Sequence, residues 1–270
     1  MAALDVSLPL ERELVARSRR RGLGFVFWGA LAWIALVFAL AILADLLPLA
    51  DPVRQTLLVR RQPPSVLHLL GTDDLGRDIL SRVIHGARAS LAVGLLAPLL
   101  GTLVGGASGL LAGYLRGIFA TLAVGATDVL LAFPPLVLAI LTVPPVTRVA
   151  RAATLAVAER DFVTAARALG ASHARILLKE ILPNVLLPLG AYFLVLVAVA
   201  IVAESILSFL GLGVPPPAPS WGSMVAEGRE SLDIAPHIAF IPASVMFLTV
   251  LAFNLVGDAC RALTDPRRGQ

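Results

Sequence analysis

Long apolar runs alternate with short polar segments along this chain, and the length of the runs points to the fold class. Mostly apolar runs occupy 23–43, 89–113, 185–207 and 236–257. Each is long enough to cross a bilayer as a helix, which takes about 20 residues. A fifth apolar run, 118–143, is interrupted by two prolines. The pattern predicts an all-α, polytopic transmembrane bundle with about five readable spans.

The polar segments between the runs predict which side of the membrane each one occupies. Residues 1–22 and 144–184 are rich in arginine, and such segments remain in the cytoplasm. Residues 44–88 are nearly neutral, with five acidic and six basic side chains, and residues 208–235 carry three acidic and one basic side chain, which suits the outer side. Both termini are therefore expected to be cytoplasmic. The alternative that 23–43 is a cleaved signal peptide is disfavoured by its length and by Asp45 and Pro48 behind it.

These assignments divide the chain into a cytoplasmic tail, a first span and a core. The tail is 1–22, the first transmembrane helix is 23–43, and an extracytoplasmic segment with an interfacial helix follows at 44–88. The core domain is 89–270, with a cytoplasmic loop at 144–184.

Composition agrees with a membrane protein and excludes several other classes. The 270 residues are 58% hydrophobic and 15% charged, with a mean hydropathy of +0.87. A soluble domain carries more charge. The net charge of +4 lies mostly at membrane edges, so we expect lipid rather than nucleic acid as its partner. The single cysteine, Cys260, and four scattered histidines predict neither a disulfide nor a metal site.

The sequence contains none of the common catalytic motifs. The chain contains no phosphate-binding Gly-x4-Gly-Lys-Ser/Thr motif, no His-Glu-x-x-His and no Gly-x-Ser-x-Gly. Asp128 and Glu204 lie inside apolar runs, but they are far apart in sequence, which disfavours an intramembrane protease. An intramembrane carboxylate can line a transport path. The alternatives are an interfacial position for Asp128 and, for Glu204, a carboxylate held by its neighbours.

The charged segment 159–184 is predicted to form a helix, a turn and a second helix. Phe162, Ala165, Ala166 and Leu169 recur at helical spacing. Gly170 then interrupts the run, Ser172 can cap a second helix, and Pro183 comes at its end. With its basic side chains, Arg167 among them, this segment can dock into a soluble partner. A solvated loop that only follows the charge rule is the alternative.

Two further segments predict structure on the outer side. Thr72 or Asp73 can cap a helix that begins near Asp74 and lies along the surface, with Ile79 and Val83 on one face. The Pro- and Gly-rich segment 208–235 predicts a stiff loop with Trp221 at the interface. Six glycines between 94 and 113 predict close helix packing, within the chain rather than between chains.

Several motifs resemble the C-type permease subunits of dipeptide, oligopeptide and nickel ABC importers. GTDDLGRDILSR (71–82), AESILSFLGLG (203–213), DVLLAFP (128–134) and GDACRALTDPR (257–267) match that family in wording. Ala165-Ala166, Gly170 and Leu182-Pro183 match the spacing of its EAA loop, although Thr164 stands where the family has a glutamate.

The resemblance implies a role and partners for these residues. It implies a bacterial or archaeal plasma-membrane permease that works with a homologous permease subunit, two ATP-binding subunits and an extracytoplasmic solute-binding protein. ATP and Mg²⁺ would be used by the partner subunits, and this chain would bind no cofactor. The implied ATPase-coupling residues are Phe162, Ala165, Ala166, Arg167, Leu169, Gly170 and Pro183. The residues implied to face the binding protein are Asp73, Asp74, Arg77 and Trp221, and Asp128 and Glu204 are candidates to line the path.

One feature departs from the family, which has six spans. From an inside N-terminus, three spans leave residue 144 outside, although the basic segment that follows belongs inside. The run 118–143 could be re-entrant, the chain could carry an internal deletion, or 144–158 could enter the membrane at the cost of burying Arg148 and Arg151. We favour the deletion. A non-transporting remnant and a stand-alone carrier remain alternative functions, and the transported solute stays open.

Overall fold

A computed structural model describes residues 24–115 and 137–264, and nearly all of this part of the chain is helical. The helices are α1 (Phe25–Leu43), α2 (Ile79–Leu115), α3 (Val137–Ala158), α4 (Asp161–Ala168), α5 (His173–Arg175), α6 (Leu182–Phe209), α7 (Trp221–Gly228) and α8 (His237–Thr264). A π-helix, Ile176–Ile181, joins α5 to α6, and three short 3-10 helices lie at Ala44–Leu46, Leu57–Val59 and Arg229–Ser231. The prediction of an all-α fold is confirmed.

Four helices among the described residues are long and apolar enough to cross a membrane. They are Phe25–Leu46, Ile79–Leu115, His173–Phe209 and His237–Ala262. Each of these helices contains one of the predicted apolar runs. Only the first residues of the runs at 23–43 and 236–257 lie before the helix begins. Most of the fifth run, including Asp128 and the two prolines behind it, lies outside the described residues.

Contacts between the long helices fix their relative directions. Gly94 of α2 lies against Ile201 of α6, whereas Gly106 lies against Leu189, so α2 and α6 are antiparallel. Helix α8 is antiparallel to α6, because Gly257 meets Ala191 and Ser205 meets Met246. Trp33 of α1 donates a hydrogen bond to Thr249 of α8 at 3.1 Å.

The bundle therefore has two ends with different contents. The start of α1, the segment 159–175 and the end of α8 lie together at one end, which we call the α4 end. The segments 44–78 and 210–236 lie at the opposite end, which we call the α7 end. This separation is the one that the charge pattern predicts for inner and outer segments.

Helices α2 and α3 run parallel and pack through four glycines, Gly101, Gly105, Gly109 and Gly113. A Cβ atom on Gly105 would lie 2.5 Å from the Val143 carbonyl oxygen, and one on Gly113 would lie 2.7 Å from Thr154 Cβ. Only glycine permits backbones to approach this closely. The expectation that the glycines pack within the chain is confirmed, and we call this contact the glycine seam.

The predicted loop 144–184 is wrong for its first part. Residues 144–158 belong to α3, which includes Pro144 and Pro145 and buries Val146, Thr147 and Ala150 almost completely. The two prolines and two arginines favoured a loop locally, but packing on the glycine seam outweighs them because it buries one whole face of the helix.

The parallel direction of α2 and α3 also bears on the sixth span of the family, for which this sequence has no separate apolar run. Leu115 ends α2 at the α4 end, whereas Val137 begins α3 toward the α7 end. Residues 116–136, which connect them, lie outside the described residues. Because α3 returns the chain to the α4 end, the basic segment 159–175 lies beside the end of α2. This arrangement corresponds to the alternative in which 144–158 joins the bundle.

The predicted separate interfacial helix is also wrong. Residues 71–78 form a tight hairpin, and α2 begins only at Ile79 and continues to Leu115 without a break. Asp78 caps it by accepting a hydrogen bond from the Ser81 amide at 2.9 Å. Ile79 and Val83 are buried in a cluster with Met224 and Ile238. The apolar face that suggested a surface helix packs against α7 and α8 instead.

Candidate functional site

The α4 end presents a compact element made of α4, a glycine turn and α5, and we call residues 161–175 the docking element. Val163 anchors it: its side chain is fully buried in a cluster with Ile176, Ile181 and Val185. The sequence pattern missed Val163, because it lies one position away from the apolar stripe that starts at Phe162. With Val163 turned inward, that stripe faces outward.

The turn between the two helices has the predicted geometry. Gly170 has a φ of +77°, in the left-handed region that favours glycine, and the Leu169 amide donates to the Ala165 carbonyl at 3.0 Å. Ser172 caps α5 by accepting a hydrogen bond from the Arg175 amide at 3.4 Å. The predicted helix, turn and helix are confirmed, and so is the cap.

The outer surface of the docking element is apolar and concave. Leu169 is 88% exposed and Phe162 is 39% exposed. A hollow of about 320 Å³ lies between α4 and the π-helix. Its lining residues are Phe162, Ala165, Ala166, Leu169, Gly170, Ala171, Arg175 and Glu180. Exposed apolar side chains beside opposite charges are typical of a surface that binds another protein.

The sequence pattern placed Pro183 at the end of the second helix, but the helix continues past it. The helix runs from His173 to Phe209, and the π-helix Ile176–Ile181 ends two positions before the proline. A proline has no N–H and its ring clashes with the carbonyl four residues earlier, here that of Lys179. A wider π turn relieves that clash. Asn184 also donates its side-chain amide to the Glu180 carbonyl at 2.7 Å.

A buried group of charges holds the α7 end together. Arg77 Nε donates to Asp73 Oδ2 at 2.6 Å, and Arg77 Nη2 donates to Glu227 Oε2 at 2.6 Å. Arg82 Nη2 lies 3.1 Å from the same Glu227 oxygen. We call these four side chains the outer ion cluster. It joins the hairpin before α2 to α7, although 150 residues separate Arg77 from Glu227.

Three of the four residues expected to face a binding protein are buried within the chain. Asp73 is 4% exposed, Arg77 is 5% exposed and Trp221 is fully buried. Their polar groups find partners within the chain: Arg77 pairs with Asp73 and Glu227, and the Trp221 indole donates to the Val83 carbonyl. They build the surface on which a partner can rest.

Asp74, the fourth of these residues, is half-buried. Its carboxylate accepts hydrogen bonds from Ser231 Oγ at 2.6 Å and from the Arg61 guanidinium. Burial raises the pKa of Asp74, but the bonds from Ser231 and Arg61 outweigh burial, so the pKa lies below its ordinary value.

Glu204 is the centre of a second buried group at this end. It is 3% exposed, and Oε1 accepts hydrogen bonds from Ser208 Oγ at 2.8 Å and Ser220 Oγ at 2.9 Å. Ser90 Oγ lies 3.4 Å from Oε2 and accepts the Trp221 amide at 3.0 Å. This geometry is that of a carboxylate held by its neighbours, the structural alternative for Glu204. A path-lining role for Asp128 stays a prediction, because that residue lies outside the described part.

Within residues 24–115 and 137–264, no three His, Cys, Asp or Glu side chains are grouped closely enough to share a metal ion. The docking element and the outer ion cluster lie at opposite ends of the bundle.

Comparison with known proteins identifies the family of this chain. Residues 105–270 match the family model described as binding-protein-dependent transport system inner membrane component. The glutathione transport system permease protein GsiD of Escherichia coli (strain UTI89 / UPEC) is 42% identical over 223 positions, covering 76% of this chain and 74% of that protein. A putative peptide transport system permease protein of Brucella suis biovar 1 is 40% identical over 256 positions, covering 88% and 86%.

Each alignment has more positions than the number of residues of this chain that it covers. Of 270 residues, 88% is about 238, against 256 aligned positions, and 76% is about 205, against 223. In each case about 18 positions of the relative have no counterpart here. This number is close to the length of one membrane span, and it supports an internal deletion relative to these proteins.

Proposed function

The chain belongs to the family of binding-protein-dependent transport system inner membrane components, and from this membership we propose that it is the permease subunit of an ATP-driven importer for small peptides. The substrate class follows the names of its relatives, which are permeases of glutathione and peptide transport systems. The observation that carries the proposal is the exposed docking element at the end opposite the outer ion cluster.

We assign the docking element to the contact with ATP-binding subunits. Phe162 and Leu169 expose apolar surface on a helix that Val163 fixes to the bundle, so a push on α4 is transmitted to the helices behind it. Gly170 lies at the apex, and a Cβ atom added there would have no heavy atom within 4 Å, which leaves room for a partner. The partner subunits would hold ATP and Mg²⁺.

We assign the α7 end to the contact with a solute-binding protein. The outer ion cluster fixes the hairpin at 71–78 to α7, so that the exposed loops around them form one rigid surface. Closing of the ATPase pair at the α4 end and release of solute at the α7 end then act on the same bundle, which exposes the path to each side in turn. A homologous second permease subunit would complete that path.

The experiment is reconstitution of the chain with its partner permease, ATPase subunits and binding protein in lipid vesicles. We expect uptake of radiolabelled glutathione or of a dipeptide that requires ATP and the binding protein. Uptake without the ATPase would favour the stand-alone carrier. A complex that hydrolyses ATP but moves neither solute would favour the remnant.

The variant Gly170→Leu tests the docking element within that experiment. Leucine is strained at a φ of +77° and obstructs the apex, so we expect uptake to fall to a small fraction while the chain still inserts in the membrane. Gly190→Leu is the matched control, because a Cβ atom at Gly190 would also meet open space, but Gly190 has an ordinary φ and lies on α6. Equal uptake by both variants would contradict the assignment of α4 and Gly170.

Orientation is tested by labelling single cysteines in a Cys260→Ser background. Ser65 and Ala218 are exposed at the α7 end, and Leu169 is exposed at the α4 end. We expect a membrane-impermeant maleimide added outside to label Ser65→Cys and Ala218→Cys but not Leu169→Cys. Labelling of Leu169→Cys from outside would show that the docking element cannot meet a cytoplasmic ATPase.

A further inference from the structure

Tyr114, near the last residue of α2, contacts both sides of the turn in the docking element. Its hydroxyl lies 2.7 Å from Nδ1 of His173, the first residue of α5. The two rings also meet edge to face with centroids 5.7 Å apart. On the other side of the turn, the Arg167 guanidinium of α4 lies 5.6 Å from the centre of the Tyr114 ring.

These contacts join α2 to an element with which it has no direct chain connection. The docking element continues from α3 through Glu159 and Arg160, and it continues into α6 through the π-helix. Helix α2 ends at Leu115, on the other side of residues 116–136. A movement of the docking element can therefore pull α3 and α6 through the backbone, whereas it reaches α2 through packing, at the glycine seam with α3 and at Tyr114.

We propose that Tyr114 is a positioning residue that makes α2 follow the docking element, together with His173 and Arg167. The inference rests on the proposed function, since it concerns how a push from an ATPase subunit spreads through the bundle. The two contacts hold Tyr114 from different helices, so α4 and α5 must move together with the ring between them.

Helix α2 is long enough to connect Tyr114 with the opposite end of the bundle. The helix has 37 residues and is about 55 Å long, at 1.5 Å per residue. The glycine seam fixes its inner half to α3, and Arg82 near its start belongs to the outer ion cluster. A displacement at Tyr114 is thereby carried along α2 from the α4 end to the α7 end. Without the link, α2 still follows α3 through the glycine seam, but it loses its own contacts with α4 and α5.

The test is the number of solute molecules imported per ATP hydrolysed, measured on the reconstituted complex. Tyr114→Phe keeps the ring under Arg167 and removes the hydroxyl contact with His173, and Tyr114→Ala removes both. We expect about a fivefold fall in solute per ATP for Tyr114→Phe, the size of one lost hydrogen bond, and a larger fall for Tyr114→Ala. ATP hydrolysis itself should persist, because Tyr114 is not part of the exposed stripe.

Tyr192→Phe is the matched control. It is the other tyrosine of the chain, and it lies beneath Arg261 at the same 5.6 Å, but it links α6 to α8. A purely structural effect would lower the amount of assembled complex in all variants and leave solute per ATP unchanged. That ratio is therefore the deciding measurement, and we expect it to be unchanged in Tyr192→Phe.

A second measurement follows the movement directly. Nitroxide labels on Leu111 of α2 and Ala168 of α4, both exposed and both outside the apolar stripe that starts at Phe162, report the distance between them with and without ATP. We expect this distance to stay constant in the wild type and to change on ATP binding in Tyr114→Ala. A constant distance in both, with unchanged solute per ATP, would overturn the inference. A wild-type complex that hydrolyses no ATP would overturn the proposed function, and the link with it.

Discussion

Arg77 Nη2 donates a hydrogen bond to Glu227 Oε2 across 2.6 Å and thereby joins the hairpin before α2 to α7. Arg77 is 5% exposed and Arg82, which lies 3.1 Å from the same oxygen, is 1% exposed. Two buried guanidinium groups thus depend on Glu227 and Asp73 for their countercharge. Unpaired buried charge is costly, so this pair of residues decides whether the α7 end keeps its shape.

The first prediction is that Glu227→Gln loosens the α7 end. We expect a loss of about 1–2 kcal/mol, less than for a fully buried pair, because the Glu227 side chain is 37% exposed. The measurement is the apparent midpoint of thermal unfolding in detergent, which should fall by several degrees. Glu230→Gln on the neighbouring exposed position is the control, and an equal shift for both would contradict a special role of Glu227.

The second prediction concerns the glycine seam. Gly105→Ala places a Cβ 2.5 Å from the Val143 carbonyl oxygen and forces α2 and α3 apart, at a cost of about 1–3 kcal/mol. Gly106→Ala, one position along the same helix, meets only Leu189 at an ordinary 3.5 Å. Because alanine is the better helix former, we expect this neighbour to be neutral or slightly stabilising.

Thermal unfolding of the two alanine variants, measured side by side, checks this prediction. Both changes add the same methyl group to α2, so a difference between them reports the seam alone. Equal midpoints would show that α3 does not pack on α2 as closely as the structure has it.

The third prediction is that Pro183→Ala converts the π-helix before α6 into an ordinary α-helix. The alanine N–H can bond to the Lys179 carbonyl, so the wider turn is no longer required. A π turn contains about one residue more than an α turn, and one residue corresponds to a rotation of about 100°. The change from π-helix to α-helix therefore rotates the docking element relative to α6. We expect the distance between nitroxide labels on Leu169 and Leu187 to shift.

Pro188→Ala is the control for that change. Pro188 also lies inside α6, but no π-helix is found in the turn before it. The label distance should remain that of the wild type in this variant. A wild-type distance in Pro183→Ala as well would mean that the π-helix has another cause.

The fourth prediction is a pH dependence at Asp74. Its pKa is lowered in the folded chain, so the bonds from Ser231 and Arg61 stabilise the fold above the pKa of an unfolded aspartate and are lost as pH falls through the folded value. We expect the wild type to be more stable than Asp74→Asn at pH 7, by about 1 kcal/mol, in thermal unfolding. The difference should shrink as pH falls below about 4.

Asp233→Asn serves as the reference for this titration, because Asp233 is an exposed carboxylate at the same end. Its unfolding midpoint should follow that of the wild type across the whole range. An undiminished difference between Asp74→Asn and the wild type at the acid end of the range would show that the charge of Asp74 contributes nothing.

The spans and the helix–turn–helix of the docking element could be predicted from the sequence pattern. An apolar run of about 20 residues has few alternatives to a membrane helix, because its backbone groups must be paired within the segment. Gly170 and Ser172 likewise act on their immediate neighbours, through a left-handed turn and a helix cap. Such features depend on residues a few positions apart, so the pattern alone locates them.

Which polar and aromatic side chains are buried depends on long-range packing, and the sequence pattern did not predict it. Asp73, Arg77 and Trp221 look like surface residues, but their partners include Glu227, Val83 and Ser90, which are distant in sequence from the residues they hold. Residues 144–158 look like a loop, and they form a helix because the glycines of α2 offer them a close contact. Long-range packing can reverse a local preference, since burying a whole face of a helix is worth more than the propensities of a few residues.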